Sequence, residues 1–485
     1  MFSSTSVLLL VSVSIYCLYK YLSQYFNYWV GQGIPVKQPV ILFGNYKKFF
    51  FFRRSIGKIY EAIYNEFPND KFVGCFKPRT PQLLIRDPDM IKQVLVKDFS
   101  IFADRSLDLS DTVEKLNANL FSVQGDKWKA MRQKFTPAFT SGKLKNMFHL
   151  IVEKGEEFQT FLGGAIQKDN EQEVKDLMAR FTTDVIGSVA FGIKLNSMED
   201  KNAPFRKFGN EIFEASMVKT IKVFLRAFSP QLFNFLKLRI QELKEKGFIK
   251  NASGGATDIE FTDTFMTAQA FIFFAAGFET SSTLMSFTLH ELAKNPEVKQ
   301  KALLEIDAVL KKHNGKISYE AIKDMHYLEC CISEAMRKYP ALGILSRVTT
   351  SKYTFPDSKV TLEKGFSVVV PVFALHYDPK YYPEPEKFIP ERFTPEAIQE
   401  RHPMVYLPFG EGPRNCIAKP ILVASKVTKI SIHLQWDYGL KSRMCTRIFD
   451  ELDGNDNNLR NDNYTCLLCG VTVGNIIKYP TYNII

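Results

Sequence analysis

The sequence predicts a mainly α chain with a minor β portion, an α+β architecture in which one large body follows a short apolar N-terminal segment. Three observations carry this reading. Most of the chain spaces its apolar residues at helical period, the β-rich runs at 82–85 and 361–372 are few and short, and residues 265–289 form a long apolar run whose only charge is Glu279. Taken in order, residues 1–19 carry no charge and are rich in Val, Leu, Ile and Tyr, about the length needed to cross a bilayer. A cleaved signal peptide would carry positive charges first, whereas here they follow, at Lys20, Lys37, Lys47, Lys48, Arg53 and Arg54. We therefore expect an uncleaved membrane anchor over residues 1–26 and one body over 27–485, kept on the cytoplasmic side by the positive-inside rule. Tyr28, Trp29, Gly31, Gly33, Pro35, Pro39 and Gly44 then suit a stiff joint at the membrane boundary. The run 265–289 is also long enough to span, but its Thr267, Gln269, Thr280, Ser281, Ser282, Thr283, Ser286 and Thr288 fit a helix buried in protein better than one in lipid.

Composition narrows the function class. The 485 residues include 42 Phe and are 45% hydrophobic, too apolar for disorder and suited to enclosing an apolar pocket. The net charge of +11 would attract anionic lipid or an acidic protein, and no compact Arg/Lys-rich helix or RNA-binding signature accompanies it, so nucleic acid is not expected as a partner. Eight scattered Cys, two of them adjacent at Cys330 and Cys331, are not a secreted disulfide framework and point to a reducing compartment. Cys466 and Cys469 form a lone Cys-x-x-Cys without a second pair, which is not a zinc site. The seven His are scattered, and the sequence holds no His-Glu-x-x-His, no Gly-x-Ser-x-Gly and no dinucleotide-binding glycine loop.

The most informative stretch is Phe409, Gly410, Glu411, Gly412, Pro413, Arg414, Asn415, Cys416. A lone Cys after a turn is ordinarily a buried structural thiol. Here a Gly/Pro-constrained loop ends on the thiol, so backbone N–H groups would favour a thiolate at a metal, Arg414 would meet an anionic group, and Phe409 would shield the sulfur from water. Glu334 and Arg337 lie three apart in a helical run and can pair on one face. The centre of the long apolar run, Ala275, Ala276, Gly277, Phe278, Glu279, Thr280, combines small residues with an acid and a hydroxyl, which would admit a flat cofactor and relay protons. Trp128 and Arg132, four apart, share another helical face.

These residues resemble the cytochrome P-450 family, most of all its insect microsomal branch associated with detoxification. Phe409, Gly412, Arg414 and Cys416 stand where the family's haem-binding loop requires them. The resemblance implies haem b (iron protoporphyrin IX), with Cys416 as the iron's protein ligand. It makes Glu334, Arg337 and Arg392, the last from Pro390-Glu391-Arg392-Phe393, a structural network beneath the haem. Ala276 and Gly277 become haem-contacting residues, Glu279 and Thr280 the catalytic acid-alcohol pair, and Trp128, Arg132, Arg347 and Arg414 partners of the haem propionates. Substrate-facing positions fall, by resemblance, between Phe102 and Phe121, around Phe213, near Phe274 and over 341–345.

The implied activity is insertion of one oxygen atom of dioxygen into a hydrophobic small molecule. Electrons would come from an NADPH-cytochrome P-450 reductase, with cytochrome b5 as a further partner, at the endoplasmic reticulum membrane. A haem-binding relative with impaired or no monooxygenase activity is the alternative, because the likeness has departures. Ala418 replaces the usual Gly two residues after Cys416, Pro420 falls near the start of the next helix, and a roof element is expected to be missing near 240–241. The chain is atypical after about 435, with an Asn/Asp-rich loop expected over 450–463.

Overall fold

Helix α1, Ser4–Ser23, turns most of its apolar side chains outward, Leu8, Leu9 and Ile15 among them, and is long and apolar enough to cross a membrane. The structure, a computed structural model, describes residues 4–106, 115–168, 172–200, 203–213, 216–229, 233, 236, 263–356, 358–418, 463–465 and 472–474. The joint after α1 is fixed to the body. Trp29 is fully buried over Gly74, its indole N–H donates to the Cys75 carbonyl (3.3 Å), and Gly74 N and O bond Pro35 O and Lys37 N.

Helix α2, Ile56–Glu66, starts where the Ser55 hydroxyl accepts from Lys58 N, and leads into strands β1, Phe72–Phe76, and β2, Pro81–Ile85. Then come α3, Gly125–Phe135, α4, Ser141–Lys168, α5, Val174–Phe191, α6, Pro204–Phe213, and α7, Met217–Phe228. Helix α8, Asp263–Lys294, is the central helix, followed by α9, Pro296–Lys312, and α10, His326–Lys338. Strands β3, Leu345–Val348, β4, Tyr353–Thr354, β5, Thr361–Leu362, and β6, Ser367–Val370, precede the short α11, Val372–His376. One sheet runs β1-β2-β6-β3, with β2 and β6 parallel and the other pairs antiparallel. The expected strand over 361–372 is therefore two strands and the start of a helix, because a turn at Lys364 and Gly365 sends the second half into a different sheet.

As the hydroxyl content of 265–289 implied, α8 is a core helix. It packs along α5 and also meets α6, α9 and α10. Its hydroxyls donate within the helix, half-exposed Thr280 to Ala276 O (2.5 Å) and buried Ser286 to Ser282 O (2.7 Å) and Thr288 to Leu284 O (2.7 Å). Such bonds remove the cost of placing polar groups in an apolar core. The interrupted region at 240–241 and the sequence beyond Ala418, Pro420 and the Cys466/Cys469 pair included, lie outside the described residues except for two strands. These are β7, Asn463–Thr465, and β8, Thr472–Gly474, which pair antiparallel, so Asn463 is in a strand and not in the expected loop.

Candidate functional site

The loop that ends on Cys416 is shaped by its own backbone. Gly410 N donates to Leu407 O, Asn415 N to Gly412 O and Cys416 N to Phe409 O (3.0, 3.0 and 2.9 Å). Gly412 has φ +75°, and a Cβ there would lie 1.8 Å from Leu95 O, so this position accepts no side chain. Phe409 and Ile417 rest on clusters that include Met285 and Leu289 at one end and Phe265 and Met266 at the other, so the loop is braced along α8. Between those contacts Ala276 is exposed and Thr280 half-exposed, although Phe274, Ala275, Phe278 and Glu279 beside them are buried. Cys416 is exposed too.

Around the thiol stand four guanidinium groups, three foreseen and one not. Arg414 Nε donates to Ala103 O (2.8 Å) and Nη2 to Val123 O (2.9 Å), and its guanidinium lies 4.1 Å from the Trp128 ring centre. Arg132 donates to Asn415 O (2.8 Å) and Oδ1 (3.0 Å), so it clamps the loop one residue before the thiol. Arg347 is buried on β3 and donates to Ser346 O. The residue that sequence reasoning missed is Arg105, which donates to Phe121 O (2.8 Å) and Arg414 O (3.0 Å).

Asp104, 3.4 Å from Arg414, is the one carboxylate paired with any of the four among the described residues. Burial, followed by the charge of Arg347, pushes Arg105 down to about 9; burial, then Arg105, does the same to Arg414, and burial, then Arg414, takes Arg347 to about 10. Guanidinium groups keep their protons in proteins, so this downward push reads as uncompensated positive charge. Arg347 Nε and Arg414 Nη1 are buried without a hydrogen-bond partner among the described residues. Buried unpaired donors on crowded cations fit a group carrying two carboxylates, as haem does.

The second assembly is the reverse in character at its centre, although Arg392 Nε at its edge is buried without a hydrogen bond among the described residues. Glu334 and Arg337 are fully buried on α10 and joined by two hydrogen bonds, Nε to Oε2 (2.7 Å) and Nη2 to Oε1 (2.8 Å). Arg337 also donates to His376 O (2.8 Å) and Pro385 O (2.7 Å), Ile389 N donates to Glu334 Oε1 (3.0 Å), and Arg392 Nε approaches that oxygen at 3.4 Å. His376, which its sequence neighbours do not single out, completes the set. Its Nδ1 pairs with Arg337 O (3.1 Å), and Leu407 N donates to its Nε2 (3.0 Å), which fixes the neutral tautomer with hydrogen on Nδ1. Burial first, then the Arg337 charge, pulls His376 down to about 3. The network thus reaches Leu407, at the base of the Cys416 loop.

Two positions on α8 have neighbours that the sequence does not show. Gly277 does not face the open side. A Cβ there would lie 2.9 Å from Ile186 Cδ1 on α5, so its smallness serves helix-helix contact, and Ala276 presents the small open face. Glu279 and Thr280 point apart, as consecutive helical residues do. The Glu279 carboxylate is 3.2 Å from Lys175 Nζ on α5 and accepts from Thr283 Oγ1 (3.4 Å), while the Thr280 hydroxyl donates to Ala276 O. Lys175 was not foreseen, since nothing in its own sequence neighbourhood marks it. Among the substrate-facing candidates, Phe274 is buried, stacked 5.6 Å from Phe278, and the stretch from Phe102 to Phe121 is described except for 107–114. The Phe213 side chain lies outside the described residues.

Comparison with known proteins addresses most of the chain. The family model described as Cytochrome P-450 matches residues 34–247 and 234–421, two segments that overlap. Cytochrome P-450 6B5 of Papilio glaucus is 39% identical over 432 residues, covering 82% of this chain and 90% of that protein. Cytochrome P-450 6B1 of Papilio polyxenes is 39% identical over 443 residues, covering 85% and 89%. Probable cytochrome P-450 6a14 of Drosophila melanogaster is 37% identical over 479 residues, covering 90% and 94%. With that coverage, a helical body crossed by a small sheet, and a Gly-constrained loop placing Cys416 beside under-compensated guanidinium groups, the chain belongs to the cytochrome P-450 family and is a haem-dependent monooxygenase.

Proposed function

We propose that the chain uses haem b, with Cys416 as thiolate ligand, to oxygenate a hydrophobic small molecule at the endoplasmic reticulum membrane. The observation that carries this is the meeting of four guanidinium groups with too little negative charge beside the loop that ends on Cys416. Arg105, Arg347 and Arg414 would hold the two propionates, with Trp128 backing Arg414 and Arg132 steadying Asn415. The haem, when bound, supplies dioxygen cleavage, and a thiolate ligand favours it.

The remaining steps belong to the chain. Cys416 holds negative charge on sulfur, favoured by the cations nearby, and Phe409 limits water at its loop. Ala276 leaves α8 open on the side where Thr280 places its hydroxyl. Thr280 Oγ1 keeps acceptor capacity while donating to Ala276 O, so it can take a proton and pass its own on. Glu279 is the buried acid nearest in sequence, and the partly exposed Lys175 ties it toward solvent. Leaving Lys175 would free Glu279 to deliver protons on the Thr280 side.

Electrons come, in this reading, from an NADPH-cytochrome P-450 reductase docking on the basic face near Cys416, with cytochrome b5 as a second donor. Residues 1–26 are the anchor and 27–485 the monooxygenase body, on the cytoplasmic side of the membrane. Helix α1 and the closely following cations support that orientation. The reduced carbon-monoxide difference spectrum of membrane-expressed protein tests the assignment. The wild type should give the thiolate band and Cys416→Ser should lose it; a thiolate band in Cys416→Ser would move the ligand elsewhere.

A further inference from the structure

Gln269 lies on α8, 2% exposed, and all of its amide is in use. Its Oε1 accepts from Leu120 N (3.0 Å), and its Nε2 donates to Ala118 O (2.7 Å) and, more weakly, to Phe265 O (3.5 Å). A helix turns about 100° per residue, so positions seven and eleven further on, Ala276 and Thr280, share the face of Gln269 to within about 20°. The amide therefore bonds a separate piece of chain to the face assigned above to oxygen chemistry.

That piece of chain is a turn organised before it docks. Asn119, itself 2% exposed, donates from Nδ2 to Leu116 O (2.6 Å) and accepts at Oδ1 from Phe121 N (2.9 Å) and Ser122 N (3.1 Å). Asn119 thus makes the turn, and Gln269 places it. The far end of the same turn is held by the cationic cluster, where Arg105 donates to Phe121 O and Arg414 to Val123 O (2.8 and 2.9 Å). Leu116 packs with Phe271, Phe274 and Phe278, and Leu120 with Phe265, so the turn lies across α8 as an apolar wall with one polar rivet.

We infer that Gln269 is a specificity-determining positioning residue, whose amide docks the 116–122 turn on the α8 face carrying Ala276 and Thr280 and so sets how large a hydrophobic ligand that face accepts. The inference rests on the proposed haem site and adds to it a residue that touches neither haem nor thiol. Loss of the rivet removes two hydrogen bonds between the turn and the helix, one buried and one partly buried, and the wall is then no longer held ready for a ligand that must press against it.

The test uses the full-length, membrane-expressed holoprotein as wild type, Gln269→Met, which keeps the volume without the hydrogen bonds, and Gln269→Ala. Imidazole and N-phenylimidazole, both nitrogen ligands of haem iron, are titrated spectrally, and amide hydrogen exchange is followed over 116–122. In both variants the carbon-monoxide band per mole of protein should match wild type and imidazole affinity should hold. N-phenylimidazole should weaken by about tenfold, or about 1.4 kcal/mol, with faster exchange at Leu120. An unchanged ratio of the two affinities, or equal weakening of both ligands, overturns the specificity role, and unchanged exchange at Leu120 in Gln269→Met overturns the docking itself. A wild type without a thiolate band refutes the haem reading separately, because the exchange measurement does not depend on haem.

Discussion

Arg337 beside Glu334 and the pair Arg347 and Arg414 beside Cys416 are buried arginines that obey opposite rules. In the Glu334 assembly, Arg337 meets a carboxylate with two hydrogen bonds and main-chain carbonyls with the rest, and His376 spends both ring nitrogens on backbone. Beside Cys416, Arg347 and Arg414 keep buried donors without partners, and Asp104 is the one carboxylate paired with any of the four cations, among the described residues. A satisfied buried network rigidifies what it joins, whereas an unsatisfied one raises the energy of the protein until a complementary group arrives. The contrast separates framework from binding site with no reference to relatives.

Breaking the satisfied network should have the largest effect. Glu334→Gln leaves Arg337 fully buried with no counter-charge, a change that costs about 3–5 kcal/mol. Total stabilities are about 5–15 kcal/mol, so little folded, haem-loaded protein is expected. Detergent-solubilised yield and the carbon-monoxide spectrum measure it, and a variant with normal yield and spectrum would show that the network is dispensable.

The opposite outcome is expected at the cationic cluster. Arg347→Met removes an uncompensated buried charge, so unfolding of the haem-free protein should be no easier than in wild type. Hydrogen bonds to charged groups are worth about 1.5–3 kcal/mol, so haem release to an apo-globin acceptor should quicken about 10- to 100-fold. Loss of haem-free stability with unchanged haem release would reverse the roles of the two assemblies.

Much of this contrast was legible in the sequence because its parts are local. Glu334 and Arg337 sit one helical turn apart, Gly410 to Cys416 form a single loop, and the hydroxyls of 265–289 announced a core helix. What stayed hidden depends on tertiary approach. Arg105 joins the cluster only because residues 103–105 and 121–123 bond the Cys416 loop, His376 matters only where α10 meets Leu407, and Glu279 turns to a lysine about a hundred residues earlier. Gly277 depends on the fold in the same way. A small residue in an apolar helix shows that something approaches, and only the fold says what.

His376 offers a milder way to sharpen the comparison, through pH. Its folded-state value of about 3 lies below its usual 6.5, so between those values the unfolded chain binds the extra proton. Its contribution is therefore complete above pH 6.5 and is lost as pH falls toward 3, at about 1.4 kcal/mol per pH unit. Urea unfolding compared just above and about one unit below 6.5, ahead of most carboxylate titration, should show that slope in wild type and a flatter one in His376→Gln. Equal slopes would mean that the buried imidazole takes up its proton without unfolding.

The smallest expected effect is at Gly277, and it decides between two meanings of one glycine. If the residue is small to let haem approach, Gly277→Ala should weaken haem binding and leave the haem-free protein alone. The position of its absent Cβ, 2.9 Å from Ile186 Cδ1, argues for the reverse. Overpacking of this kind costs about 1–3 kcal/mol, less where the neighbour is the far end of a flexible side chain. The better helix propensity of Ala returns about 1 kcal/mol, so the net loss should be about 1 kcal/mol or less. Ile186→Val deletes the opposing methyl and should relieve the strain, so the double variant should be more stable than the two single changes predict by addition. Haem content and spectrum should be those of wild type throughout. Additive stabilities together with weakened haem binding would return Gly277 to the haem face and leave the α5 contact incidental.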